Sequence, residues 1–245
     1  MFKRIVDLLF SFVGVCLASF ILLPIILIVW LYDFNFPFYI PKRVGKSGHL
    51  FNMIKLRTMV SGADKSGVDS TSAKDRRITL IGKFIRKSKL DELMQLWNVL
   101  MGNMSLVGPR PNIKRETDLY SDEEKRLLSV KPGITDFASI VFADEGDILE
   151  DSKDPDLDYN QLIRPWKSRL GLIYIDNQSF LLDMKLIALT ALSFFSRQLA
   201  LKEIKNILQE LDIDQKVLNV VLRQEDLKPY PPPGSNEIVT SRKII

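Results

Sequence analysis

Apolar residues are unevenly distributed along the chain, and the first cluster is the longest. Leu8 to Tyr32 is a run of 25 residues without a charge, about 37 Å long as a helix at about 1.5 Å per residue, which is enough to enter a bilayer. Pro24 stands well inside it, where it removes one helix hydrogen bond and predicts a kink or break. Trp30, Tyr32, Phe34, Phe36, Phe38 and Tyr39 follow as an interfacial aromatic belt. The second apolar stretch, "LGLIYIDNQSFLLDMKLIALTALSFFSRQL", is interrupted by Asp183 and Lys185. Leu186 to Phe195 is then too short to span, which predicts a buried or interfacial helix.

Shorter periodicities mark the other elements. "RVGKSGHLFNMIKLRTM" reads as a β-hairpin with Lys46-Ser47-Gly48 at the turn. In its second strand Ile54 and Leu56 face one side, and Lys55 and Arg57 the other. Two cations on one strand face can share a diphosphate or simply meet solvent. Residues 61–75 are polar, rich in Gly and Ser and without period, a loop long enough to act as a lid. Ile78, Ile81, Phe84 and Ile85 recur at helical spacing with Lys83, Arg86 and Lys87 between them. That basic amphipathic helix suits a membrane surface or a solvated back on a core helix. Leu90, Leu93, Met94, Trp97 and Leu100 form the stripe of a further helix, which Gly102-Asn103 ends. Lys202–Arg223 suggests two short amphipathic helices split near Asp212, with a face suited to a homodimer. "KPYPPPGSNE" then stops regular structure, and the last residues are expected to be mobile.

Composition narrows the class. Of 245 residues, 46% are hydrophobic and 26% charged, a globular balance that excludes a polytopic membrane protein. Residues 41–115 carry a local charge of +11 and residues 116–245 one of −7. The basic block follows the apolar run directly, so it can attract anionic lipid headgroups or a phosphorylated substrate. Nucleic acid is excluded as partner, because the block has neither interleaved aromatics nor zinc-finger spacing. The one cysteine, Cys16, precludes an intrachain disulfide, and the one histidine, His49, can support neither a His-rich metal site nor a Ser-His triad. Lys3 and Arg4 precede the apolar run, and Lys42, Arg43 and Lys46 follow it. The positive-inside rule therefore gives a spanning helix no orientation, whereas a helix that enters, bends at Pro24 and returns satisfies it.

Asp91 and Glu92 admit two readings. Ser88 precedes Asp91 by the spacing of a capping box, and acidic residues in a first turn complement the helix dipole. Alternatively, the carboxylates face away from the apolar stripe within a basic block, where adjacent carboxylates can hold a Mg²⁺ that also binds substrate phosphates. "GPRP" restrains the backbone on both sides of Arg110, whose planar fork matches phosphate. With Arg86, Lys55 and Arg57, these residues make up the parts of a phosphoryl-transfer site.

"DRRITLIGKFIRKSKLDELMQLWNVLMGNMSLVGPRP", with "RVGKSGHLFNMIKLRTM", "VKPGITDFASI" and "YIDNQSFLLDMKL", resembles the bacterial sugar transferase family, the monotopic phosphoglycosyl transferases. The likeness runs from the N-terminal helix to about Arg197. The resemblance implies transfer of a sugar 1-phosphate from a UDP-sugar to undecaprenyl phosphate at the cytoplasmic face of the bacterial inner membrane, with UMP released. It makes Asp91 the nucleophile of a covalent ping-pong cycle, with Glu92 and Mg²⁺ assisting and Lys55, Arg86 and Arg110 as the basic residues. It also implies a re-entrant helix. There the family's Ser-Pro break reads Leu23-Pro24, and after "KPGIT" the chain has "DFASIVFADEGDIL" where many members continue "GWAQVNG".

The expected fold is α+β and mainly helical. A Pro-broken, membrane-inserted helix and aromatic segment occupy residues 1–40. A catalytic domain with a small β-hairpin and interfacial helices occupies 41–200, and an amphipathic extension with a flexible tail 201–245. Two rivals remain open at this level: a phosphohydrolase using the same carboxylate–metal site, and a non-catalytic membrane-bound assembly partner.

Overall fold

In the computed structural model, residues 2–241 are described. The chain opens with α1 (Phe2–Asp33), followed by β1 (Phe38–Tyr39), β2 (Lys42–Val44), β3 (Leu50–Asn52) and β4 (Lys55–Leu56). Next come α2 (Leu80–Lys87), α3 (Gln95–Leu100), β5 (Ser105–Val107), α4 (Lys114–Thr117), β6 (Gly133–Thr135), α5 (Phe137–Val141), α6 (Glu145–Ile148) and α7 (Pro155–Asp158). The long helices α8 (Arg164–Asp176), α9 (Phe180–Phe195) and α10 (Arg197–Glu210) lead to α11 (Gln215–Leu222). The strands form three two-stranded sheets, β1–β4 and β2–β3 antiparallel and β5–β6 parallel.

Among the described residues, α1 is the one helix whose length and composition would let it cross a membrane. It is not interrupted at Pro24, contrary to the expected break; proline removes a single bond, and the bonds on either side keep the backbone helical. A stripe of Asp7, Ser11, Ala18, Leu22 and Val29 is buried against the rest of the molecule. Much of the remaining surface is exposed and apolar, with Phe12, Leu17, Phe20 and Leu23 all more than 60% exposed.

Both ends of α1 are fastened to the same body. At the start, Lys3 Nζ reaches Asp183 at 2.6 Å, the Tyr174 hydroxyl at 2.8 Å and the Val107 carbonyl at 3.0 Å. Arg4 donates to the Val99 and Leu100 carbonyls, closing the end of α3. The Asp7 carboxylate accepts from Ser105 Oγ and the Leu106 amide. At the other end, Asp33 pairs with Arg57. Between these ties, Ala18, Leu22 and Val29 pack with Leu56, Ile85, Leu90, Leu93 and Met94.

The hairpin forms with its turn at Lys46–Gly48, but its second strand is shorter than expected. Asn98 takes the Ile54 amide at 2.9 Å and gives a hydrogen bond to the Asn52 carbonyl at 2.7 Å. These bonds end the β2–β3 ladder and hand Lys55 and Leu56 to a different partner, β1. The β5–β6 pair is drawn together where Gly108 meets Gly133. A Cβ on Gly133 would lie 2.1 Å from the Gly108 nitrogen, so only glycine fits.

The main core joins β5, α5, α8 and α9 with the C-terminal helices. Ala200, Leu201, Ile204, Leu208, Val217, Leu218 and Val221 are buried in it. The split near Asp212 is present, with Asp212 in the left-handed region at φ 54°. The apolar face proposed for a homodimer is thus covered within the chain. Beyond Arg223 regular structure stops, yet the proline segment is docked. Tyr230 stacks on Trp166 at 4.5 Å, its amide donates to the Gln161 carbonyl, and Arg169 donates to the Pro231 carbonyl. Aromatic stacking and backbone bonds hold this stretch; of the last residues, expected to be mobile, 242–245 lie outside the described residues. Under it runs a buried ion pair, Arg164–Glu124 at 2.7 Å, with both side chains almost wholly inaccessible.

Gly82 is the tightest approach near the candidate chemistry. An added Cβ would fall 1.9 Å from the Thr58 carbonyl oxygen, and the Thr58 hydroxyl accepts from Arg86 Nε at 2.8 Å. Gly82→Ala must push α2 away from that backbone. Destabilisation of about 1–3 kcal/mol or more is expected, read as a lower urea midpoint of the detergent-solubilised protein.

Candidate active site

Asp91 and Glu92 sit in a sharp passage between two helices. Ser88 does not cap the second helix, as its spacing had suggested; it ends the first. Its hydroxyl donates to the Phe84 and Ile85 carbonyls at 2.8 and 3.2 Å. Lys89 follows in the left-handed region at φ 54°. A 3-10 turn over Glu92–Met94 then leads into α3, and Asp91 before it makes no side-chain cap. This turn shifts the helical phase. The buried face of α3 is Gln95, Asn98 and Val99, while Trp97, expected in the apolar stripe, is 48% exposed. Gly102, at φ 86°, ends the segment as expected.

The two carboxylates have different surroundings. Glu92 is clamped by Arg110 through a direct ion pair and faces Lys55 Nζ at 4.0 Å. Burial opposes its charge, but Arg110, Lys55 and Lys89 outweigh burial and hold its pKa down at about 2. Asp91 faces Lys55 Nζ at 3.8 Å, and no hydrogen bond to its carboxylate is formed among the described residues. Asp91 is thus buried without a hydrogen-bond partner for its carboxylate among the described residues.

Each sequence-predicted cation has a definite place. Lys55 points to the dyad. Its withdrawal from water and the repulsion of Arg110 outweigh Glu92 and Asp91, bringing its pKa down to about 8. Arg110 reaches Glu92 from the β5–β6 turn, and the attraction of Glu92 raises its pKa. Arg86 is oriented by Thr58, burial lowers its pKa, and the Asp91 charge opposes that drop. Arg57 is not with them. It is spent on Asp33 at the end of α1, beyond the two residues of β4. Pro24 lies in α1, away from the dyad in sequence and in the middle of its apolar surface.

Sequence reasoning missed a third carboxylate. Glu145, in the segment that departs from the family pattern, pairs with Lys167. Although burial opposes its charge, Lys167, Arg110 and Lys89 hold its pKa below the usual value. Lys167 also lies over the Tyr159 ring, 5.4 Å from its centroid. The "FADEG" stretch carried no pattern that could have placed Glu145 near Arg110. The loop at 61–75 is fastened to the same region: the Ser70 amide donates to Asp156 at 2.7 Å, and the Ala73 amide to the Gly146 carbonyl at 2.9 Å.

Asp91 and Glu92 are the residues that would hold a divalent cation beside the substrate phosphates. Asp91 and Glu92 offer two adjacent carboxylates, and among the described residues no group of three or more His, Cys, Asp or Glu is assembled to hold a metal ion. Magnesium is commonly held by one or two carboxylates with substrate phosphates and waters completing its shell.

Comparison with known proteins bears on the same residues. The family model described as bacterial sugar transferase matches residues 1–197. The chain is 36% identical over 188 residues to the uncharacterized sugar transferase EpsL of Bacillus subtilis (strain 168), covering 77% of this chain and 84% of that protein. It is 34% identical over 198 residues to the UDP-glucose:undecaprenyl-phosphate glucose-1-phosphate transferase of Klebsiella pneumoniae, covering 79% of this chain and 40% of that one. To the undecaprenyl-phosphate galactose phosphotransferase of Salmonella typhimurium it is 37% identical over 151 residues, 54% of this chain and 31% of the relative. The matched span takes in α1, the dyad and all three cations around it, and on that span the chain belongs to the bacterial sugar transferase family.

Proposed function

We propose that this enzyme transfers a sugar 1-phosphate from a UDP-sugar to undecaprenyl phosphate in two displacements at Asp91. The observation that carries the reading is the asymmetry of the dyad: both carboxylates face Lys55, but Arg110 bonds Glu92 alone, and among the described residues none gives Asp91 a hydrogen bond. In the first step an Asp91 oxygen attacks the sugar-bearing phosphorus. The bond from that phosphorus to the bridging oxygen breaks, and UMP departs with the electron pair. In the second, an oxygen of undecaprenyl phosphate attacks the same phosphorus, the bond to Asp91 breaks, and the carboxylate is restored. Lys55, Arg86 and Arg110 lower the repulsion between each incoming anion and the phosphoryl group. Asp91 and Glu92 would hold Mg²⁺, which supplies charge neutralisation at the phosphoryl oxygens when bound. Relatives named for this reaction on glucose and galactose support the chemistry, and they differ among themselves in the sugar.

The same contacts support a membrane arrangement. A spanning helix has its ends on opposite sides of a hydrocarbon core about 30 Å thick. Here Lys3, Arg4, Asp7 and Asp33 all bond to the body that carries the dyad. This favours an α1 that enters one leaflet and keeps both ends on the cytoplasmic face of the inner membrane. Leu80, Phe84, Trp97 and Met101, exposed on α2 and α3, extend the apolar surface beside it. The polyprenyl tail would then lie in the bilayer while its phosphate reaches Asp91.

Purified protein in detergent, given UDP-sugars one at a time with undecaprenyl phosphate and Mg²⁺, is expected to release UMP and move labelled sugar into the organic phase. Asp91→Asn should lower UMP release by on the order of 10³-fold or more with an unchanged melting curve. Normal turnover by this variant would eliminate Asp91 as nucleophile and favour the assembly-partner reading. Label appearing as free sugar phosphate would favour the hydrolase.

Lys55 gives the reaction an alkaline limit. Its folded pKa of about 8 lies below the ordinary 10.5, so its charge is lost from the free enzyme as pH rises through about 8. The linked stability has the opposite sign: below about pH 8 the buried charge costs stability, and that cost is relieved as pH rises from about 8 towards 10.5. In a pH series of kcat/KM for the donor, activity is expected to fall with a midpoint near 8. Lys55→Arg, always charged, should abolish that limb whatever its absolute rate.

A further inference from the structure

Arg43 sits in the middle of β2, across from Phe51. The next amide, that of Val44, donates to the Asn112 carbonyl at 2.9 Å. This bond lays the strand alongside the turn that carries Arg110. The neighbouring cations are all engaged: Lys55 faces both carboxylates, Arg110 bonds Glu92, and Arg86 bonds Thr58. Arg43 has no ion pair and no hydrogen bond among the described residues, and its Nε is shielded from solvent. The groups acting on its charge are Arg110, which repels it, and Tyr39, Tyr159 and Asp69 at longer range; with burial as the largest cause, its pKa is lowered.

The rest of the molecule does not treat its shielded arginines this way. Arg164 is satisfied by Glu124, Arg57 by Asp33, and Arg223 and Arg197 by Asp144. A half-buried guanidinium beside a second one, with no acceptor, is unfavourable until an anion joins it. The planar fork of arginine suits the oxygens of a phosphate.

We infer that Arg43 binds the phosphate that is not transferred: that of the leaving nucleotide, that of the entering polyprenyl phosphate, or each in turn. The inference rests on the proposed double displacement at Asp91. In that scheme the leaving and entering phosphates occupy the same side of the reacting phosphorus, opposite the carboxylate. Lys55 and Arg110 neutralise the phosphoryl group at the dyad, and Arg43, next to Arg110, neutralises the one beyond it. Its position in β2, on a strand rather than in a loop, fixes the guanidinium before substrate arrives.

The test uses Arg43→Met, which keeps the length of the side chain and removes its charge, with Arg43→Lys as a partial rescue. Calorimetric binding of UDP and of inorganic pyrophosphate to the detergent-solubilised full chain needs no turnover. Roughly 10- to 100-fold weaker binding of both is expected in the Met variant, with Lys intermediate. Because no ion pair is lost, the ligand-free Met variant should melt at the wild-type temperature or above. A lower melting temperature with undiminished pyrophosphate affinity would make Arg43 structural and overturn the inference.

Single-turnover half-reactions then identify the source of the phosphate. UMP release without acceptor reports the nucleotide, and discharge of the preformed intermediate by undecaprenyl phosphate reports the lipid. A raised half-saturation concentration in either or both supports the assignment to that source, and no change in either overturns it. If wild-type protein releases no UMP from any UDP-sugar, the proposed reaction fails, and the pyrophosphate comparison still decides the role of Arg43.

Discussion

The contact between Glu92 and Arg110 ties together the two halves of the candidate site. Glu92 arrives from the 3-10 turn after α2, and Arg110 from the turn after β5, eighteen residues later. Neither charge is cheap to hold away from water alone, and breaking such a pair leaves the other charge uncompensated. With Lys55 added from β4, three separate segments converge on one carboxylate. That convergence frees the neighbouring carboxylate. Arg110 bonds Glu92 and not Asp91, which faces Lys55 Nζ at 3.8 Å with no hydrogen bond to its carboxylate among the described residues.

The second constraint is α1. A helix of 32 residues with a broad apolar surface would ordinarily be free to leave the domain it anchors. Here the contacts of Lys3, Arg4 and Asp7 fix one end against α3, β5 and α9, and Arg57 fixes the other end close in sequence to Lys55. Arg57 therefore serves the site by placing β4 relative to the apolar surface, even though it makes no contact with the dyad. The dyad sits above the same cluster, since Leu90, Leu93 and Met94 pack on Ala18, Leu22 and Val29. A lipid-borne phosphate and a water-borne nucleotide can meet only at such a boundary.

Long patterns in the sequence were the legible part. The apolar run specified α1, the spacing of Ile81 and Ile85 specified α2, and the residues flanking Asp212 specified two C-terminal helices. Of the residues singled out from the motif segments, the structure brings Lys55 and Arg110 onto Asp91 and Glu92. Failures came where a side chain replaced a backbone partner or where a short turn shifted the phase. Asn98 took over hydrogen bonds that the hairpin pattern assigned to a strand, which passed Lys55 and Leu56 to β1. The 3-10 turn rotated α3, exposing Trp97 and burying Gln95, whose amide has no partner at either end. Spacing rules assume one uninterrupted helix or strand, and neither holds across residues 50–57 or 88–95.

The least legible region is the stretch around Asp144 and Glu145, and the C-terminal helices pack onto it. Asp144 receives Arg197 from α10 and Arg223 from the end of α11, and Arg223 also lies over the Phe142 ring at 5.1 Å. The adjacent Glu145 bonds Lys167 on α8 and contributes to the field at Arg110. Residues past 197, outside the family match, thus brace the departing segment at the point where it presents a carboxylate toward the site. The helices after α9 bury Ile204, Leu208, Val217 and Leu218 in the main core, so this bracing is continuous with the core and does not depend on a surface ion pair. The C-terminal helices thus hold Asp144 and its neighbours through contacts within the same chain.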